Sequence, residues 1–167
     1  MRIIDILYDT TVDGPGFRTS IYFAGCLHNC PGCHNPQSWD MHSGKEWTVE
    51  QVLDKIKEHR FADVTFTGGD PMYQADELVP LAKEIHKLGK TIWCYTGFTF
   101  EQCFEDIWMN ELLHNIDVLV DGPFIQEFKD KDLPFKGSSN QRIVDVPRSL
   151  ASDKVVEFDL NLEPRFE

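Results

Sequence analysis

Short apolar runs alternate with amphipathic stretches along most of this chain, and that alternation constrains its fold more than any other feature. Phe17–Gly25, Asp63–Thr67, Thr91–Tyr95, Asp117–Val120 and Gln141–Val146 are rich in β-branched and aromatic residues and predict strands. Between them, Thr48–His59 predicts a helix with Val49, Val52, Leu53 and Ile56 on one face and a Thr48–Gln51 capping box. Leu78, Leu81, Ala82, Ile85 and Leu88 line a second helix that stops at Gly89. A third starts at Thr99, with Phe100, Cys103, Phe104 and Ile107 inward. Four strand-then-helix units with nearly continuous apolar strands predict an α/β fold, a parallel sheet with helices outside. At 167 residues the chain is short for a closed eight-stranded barrel of roughly 250. An open, partial β/α barrel is therefore expected, with a doubly wound open sheet as the alternative. No repeat, low-complexity stretch or linker divides the sequence, so residues 1–167 are expected to form a single domain.

The residues that follow the predicted strands are not ordinary turns. Cys26-Leu27-His28-Asn29-Cys30-Pro31-Gly32-Cys33 follows the first of them and Gly68-Gly69-Asp70-Pro71 the second. Tyr95-Thr96-Gly97 closes the third and Asp121-Gly122-Pro123 follows the fourth. In parallel α/β folds the carboxyl ends of the strands carry the active site, so these motifs converge on one edge.

Charge and cysteine usage narrow the chemistry. With 28 acidic and 16 basic residues the net charge is −12, and no basic stripe offers a nucleic-acid surface. Met1–Leu7 carries Asp5 inside its apolar run and is no signal peptide, and no apolar run approaches a membrane span. A cytoplasmic protein with five reduced cysteines is expected, and clustered reduced cysteines point to a metal or cluster rather than to disulfides. Cys26, Cys30 and Cys33 place three thiols in a C-x3-C-x2-C loop. Cys94, inside a strand, and Cys103, on an apolar helix face, read as small buried hydrophobes. Three thiolates suit a 4Fe-4S cluster with one iron left open. On spacing alone a zinc site with His28 or His34 as the fourth ligand also stands.

The loop resembles the signature of the radical S-adenosylmethionine enzymes, departing from it at Gly32, where most members carry an aromatic residue. Asp13-Gly14-Pro15-Gly16-Phe17-Arg18, Gly25-Cys26 and Cys33-His34-Asn35-Pro36 resemble the glycyl-radical-enzyme activases. Within these, Cys30–Asn35, Thr67–Pro71, Tyr95–Gly97, Val120–Phe124 and Gly137–Arg142 are similar to the anaerobic ribonucleotide reductase activating proteins, over a core of about residues 10–146.

The resemblance implies a partial barrel of the radical S-adenosylmethionine type and two cofactors, a 4Fe-4S cluster on Cys26, Cys30 and Cys33 and S-adenosylmethionine. The electron passed to the sulfonium would yield a 5′-deoxyadenosyl radical, which takes a hydrogen atom from a glycine of the partner. That partner would be the glycyl radical subunit of anaerobic ribonucleoside-triphosphate reductase, with a low-potential electron donor and neither nucleic acid nor membrane involved. Gly32, Cys33 and His34 would face the cofactor, Gly68, Gly69 and Asp70 would hold its methionine amine, and Asp121 would contact its ribose or a cation. Asp13–Arg18 would lie near the partner's glycine, and the Asn140 and Gln141 amides would bond the cofactor or a docked peptide. Each has a plainer reading as a turn or a loop. The alternatives are an activase of the pyruvate formate-lyase type, a radical reaction on a small molecule, and a zinc-binding interaction domain.

Overall fold

The computed structural model describes residues 1–161; residues 162–167 of the expected domain lie outside the described residues. In chain order the elements are β1 (Arg2–Thr10), β2 (Arg18–Phe23), β3 (Lys45–Glu46), α1 (Val49–Glu58), β4 (Asp63–Gly68), α2 (Ala75–Lys87), β5 (Ile92–Tyr95), α3 (Phe100–Glu105), α4 (Ile107–Leu113), β6 (Val118–Asp121), β7 (Arg142–Asp145) and α5 (Val146–Ser152).

The strands form one sheet in the order β3-β1-β2-β4-β5-β6-β7. Its centre is parallel: Tyr22 lies beside Thr67, Phe66 beside Cys94, and Cys94 beside Leu119. The central order follows the chain without reversal, so right-handed crossovers lay α1, α2 and the α3–α4 pair on one face. Alternation along the strands then decides which side chains meet the helices. Ile21, Phe23, Val64, Phe66, Ile92, Cys94 and Leu119 pack with Val52, Ile56, Leu78, Leu81, Ile85 and Leu112. Each such side chain, fully buried, stabilises the fold by about 1.5–3 kcal/mol before entropy is counted. On the other face, Trp93, Val118, Val120 and Ile143 pack with Phe135 and Phe158 near β5–β7. Cys94 and Cys103 are core residues, as expected, and Trp93 is buried as well.

The expectation of a purely parallel sheet is corrected at both margins. β1 pairs antiparallel with β2 and β3, and β7 pairs antiparallel with β6. Ile3 and Ile6 of β1 reach the helix-side core while Asp5 and Leu7 stay exposed, because a register shift between Ile3 and Asp5 breaks the simple alternation that would mark the strand in the sequence. The long connection between β6 and β7 holds no α-helix, just a short turn of 3-10 helix at Gln126–Phe128. With no crossover helix, β7 returns beside β6 in the opposite sense.

The capping box at Thr48 and Gln51 is present. The third predicted helix is broken. The Asp106 side chain accepts from the Trp108 and Met109 amides and caps α4 as a new helix. That change of direction leaves Phe104 and Ile107 exposed rather than inward.

Candidate functional site

The cysteine loop is shaped by its own sequence. Gly25 donates its amide to the Ser38 carbonyl at 2.8 Å and Cys26 to the Trp39 carbonyl at 3.2 Å, so the loop starts paired to the chain that follows it. At its far end Cys33 donates to the Cys30 carbonyl at 3.1 Å, closing a turn with Pro31 second and Gly32 third. Gly32 has φ +75°, the left-handed value that a type II turn requires at that place. Pro-Gly thus folds Cys30 and Cys33 into one tight unit. The Asn35 amide donates to Cys33 Sγ at 3.4 Å. All three cysteines are free and half-buried.

Burial first, then the negative field of Asp70, Cys30 and Cys33, pushes the Cys26 thiol up to about 11, while the His28 backbone amide works the other way. Three soft sulfur donors in one loop, with a backbone amide on one of them, suit iron–sulfur ligation.

The Gly68-Gly69-Asp70 turn is stitched to this loop. Gly69 donates to the Phe23 carbonyl at 2.9 Å and Asp70 to the Gly25 carbonyl at 2.8 Å. A Cβ on Gly69 would lie 2.6 Å from the Gly25 oxygen, and one on Gly68 2.4 Å from the Phe23 nitrogen. The glycines are therefore required by backbone packing against the strand that leads to Cys26. The Asp70 side chain is 1% exposed. Its Oδ1 accepts from the Met72 amide at 3.0 Å. Its Oδ2 accepts from His28 Nε2 at 2.6 Å, Thr96 Oγ1 at 2.9 Å and the Gly97 amide at 2.9 Å. Asp70 is thus a buried junction of the cysteine loop and two strand ends. This commitment of His28 Nε2 removes one of the two nitrogens through which a zinc site would use that residue.

The long β6–β7 connection closes over the other side of the loop. The His34 ring lies 5.4 Å from that of Phe124, and a Cβ on Gly32 would meet the Gln126 side chain at 3.1 Å. Asp121 is 1% exposed; it accepts from the Phe100 amide at 2.8 Å and from both Arg142 Nε and Arg142 Nη2. Arg142 also reaches Glu101, whose carboxyl it holds below the usual range. The Asn140 and Gln141 amides serve the connection itself, donating to the Pro123 and Gly122 carbonyls.

On the other flank, Asp13 accepts from the Tyr22 hydroxyl at 3.0 Å. The buried Arg18 guanidinium donates to Thr65 Oγ1 and the Val64 carbonyl. An open cavity of about 270 Å³ lies beside Asn35 and Gln37, walled by Asp5, Leu7 and Tyr22.

The structure thus gathers the four strand-end motifs on one edge, whereas Arg18 of the Asp13–Arg18 motif sits at the start of β2 beside Asp63, at the opposite end of the strands. It gives His28, which the spacing offered only as a zinc ligand, a carboxylate partner, and it adds Thr96 and Arg142, for which the sequence offered no signal beyond their places inside the motifs. Among the described residues no helix is long and apolar enough to cross a membrane.

The family described as a 4Fe-4S single cluster domain matches residues 12–144. The anaerobic ribonucleoside-triphosphate reductase-activating protein of Salmonella typhi is 36% identical over 140 residues, 78% of this chain and 89% of that protein. Its counterpart in Vibrio cholerae is 38% identical over 141 residues, 79% of this chain and 90% of the relative. The crystal structure of QueE from Escherichia coli is a distant likeness, with a TM-score of 0.47 and 21% identity over 59% of this chain and 53% of that one.

Proposed function

The chain belongs to the family of anaerobic ribonucleoside-triphosphate reductase-activating proteins, and from that premise we propose that it activates such a reductase by placing a radical on one of its glycines. A 4Fe-4S cluster and S-adenosylmethionine, when bound, supply the chemistry: one-electron cleavage of the sulfonium gives methionine and a 5′-deoxyadenosyl radical that takes the glycine hydrogen. Cys26, Cys30 and Cys33 would hold the cluster and leave one iron without a protein thiolate. Gly32 and His34 would face the cofactor beside it. With its carboxylate committed elsewhere, the Gly68-Gly69-Asp70 turn would meet the methionine end through its backbone. Phe124 and Gln126 shield the loop on one side, and exclusion of water there would protect a reactive carbon radical.

The proposal includes an open, partial barrel, supported by the unreversed order of the four parallel strands. The cavity beside Asn35 and Tyr22 would leave room for the partner's backbone. Glycine suits that position because its radical can flatten and spread over two peptide groups. A low-potential donor would supply the electron, in a cytoplasm whose reducing conditions suit five free cysteines.

The single observation that carries the reading is the set of three free cysteines on the active edge of a chain similar to activating proteins over most of its length. The test is anaerobic reconstitution with iron and sulfide, followed by S-adenosylmethionine, dithionite and an anaerobic reductase. The expected result is 5′-deoxyadenosine together with a glycyl doublet in electron paramagnetic resonance that collapses when the glycine α-carbon carries deuterium. Cofactor cleavage without a protein radical would sink the assignment of the partner. A colourless protein that takes up zinc and no iron would sink the whole reading.

A further inference from the structure

We infer that His28 and Asp70 form a strut that sets the position of the cysteine loop, with His28 as a positioning residue for the cluster. The inference deepens the proposed function and rests on it for the identity of the cluster. His28 is the middle residue of the Cys26–Cys30 spacer, so pinning it restrains both flanking cysteines at once.

The pin is built from several sides. The imidazole lies 4.5 Å from the Phe98 ring and 5.6 Å from the Tyr73 ring, centroid to centroid. Gly97 lies under it so closely that an added Cβ would sit 2.7 Å from the His28 ring. The ring ends on Asp70 Oδ2 at 2.6 Å. A carboxylate oxygen can only accept, so the geometry places a proton on Nε2. Asp70 is held in turn by Met72, Thr96 and Gly97, which leaves it no freedom to follow the loop. The backbone bond from Asp70 to the Gly25 carbonyl fixes the loop's start to the same residue. One rigid carboxylate thus references the first half of the loop to the ends of β4 and β5, where the cofactor turn lies.

Three substitutions separate the hydrogen bond from the ring that carries it. His28→Phe keeps an aromatic ring between Tyr73 and Phe98 but removes the donor. His28→Gln gives up the ring and restores an N–H at similar reach. Asp70→Asn keeps the shape and turns an N–H toward an N–H. Outer partners of metal ligands typically change metal affinity or activity by about 10- to 100-fold, and iron retention against a chelator is expected to fall by that order in H28F and D70N. H28Q should recover most of the loss. Hydrogen exchange in the metal-free chain gives an independent readout. The Cys26 and Gly97 amides should exchange faster in H28F and D70N than in the unaltered chain, and H28Q should lie near the unaltered chain.

The reduced cluster's electron paramagnetic resonance spectrum before cofactor addition should broaden in H28F without change of cluster type. Iron retention in H28F equal to that of the unaltered chain would overturn the strut, and so would H28Q behaving like H28F. A change of cluster type in H28F would overturn it as well, by making His28 a ligand. If the unaltered chain assembles no 4Fe-4S cluster, the proposed function fails, while the exchange rates of the metal-free variants still decide whether the strut exists.

Discussion

The molecule places an Asp–His pair at each end of its parallel strands, and these two pairs differ in what surrounds them. At the edge where the parallel strands end, His28 meets Asp70 at 2.6 Å, with side chains 16% and 1% exposed. At the edge where they begin, His86 of α2 meets Asp117 at 2.8 Å, with both side chains 34% exposed. Asp70 gathers four donors from the cysteine loop, its own turn and the end of β5. Asp117 gathers two, His86 and the Ile92 amide at the start of β5. Burial makes the first pair costly to leave unsatisfied, because an orphaned buried carboxylate has no water to turn to. The second can exchange its partner for solvent. The lesson is that an Asp–His contact takes its meaning from what else the carboxylate holds: one pair locks a helix to a strand, and the other ties the cysteine loop to the Gly68-Gly69-Asp70 turn.

The sharpest test of that division is at the cysteines themselves. Replacing Cys30 by Ala removes a thiolate from the loop that the first pair braces, and 5′-deoxyadenosine formation should be abolished. Replacing Cys94 by Ala touches only the helix-side core, where the thiol is fully buried. It should leave cluster assembly intact at a stability cost on the order of 1 kcal/mol. Iron content and product analysis of the two variants decide the matter. Cofactor cleavage by C30A at the unaltered rate would break the assignment of this edge as the reactive one.

An intermediate effect is expected at Gly69, which sharpens what the turn is for. Its added Cβ would strike the Gly25 carbonyl at 2.6 Å, immediately before Cys26. Gly69→Ala should therefore weaken iron retention and lower the melting temperature of the metal-free chain together, by about 1–3 kcal/mol of overpacking. Full iron retention with a selective loss of S-adenosylmethionine affinity would show instead that the glycine serves the cofactor's approach and not the loop's seat.

Much of this edge was legible from the sequence because it is built from local signals. The cysteine spacing, the Thr48 cap and the apolar strands each depend on neighbours within a few residues, and each is present. The strut was not legible, because His28 and Asp70 are 42 positions apart and nothing in the loop's composition names the partner. The same limit hid Arg142, whose guanidinium finds Asp121 across 21 positions. β1 was missed for a different reason: a half-exposed antiparallel strand carries acids on its outer face, and Asp5 and Asp9 break the apolar run that marks a buried strand. The break at Asp106 overrode a continuous helical pattern because a single side chain satisfied two backbone amides.

The smallest expected effect belongs to the exposed pair and has a sign that can fail. Asp117 lifts His86 above its ordinary value of 6.5, through the hydrogen bond first and its charge as well, against an opposing contribution from burial. A histidine whose folded pKa exceeds its unfolded one adds stability below the unfolded pKa, and that stability fades as pH rises through the folded value. His86→Gln keeps a neutral donor for Asp117 and deletes only the titration. With both side chains a third exposed, screening limits the difference to about 0.5 kcal/mol. The melting temperature of the unaltered chain should therefore exceed that of H86Q slightly at about pH 5.5 and match it at about pH 8.5. A gap that opens toward high pH would mean that His86 is not stabilised as the cation. The contrast between the two Asp–His pairs would then have to rest on burial alone.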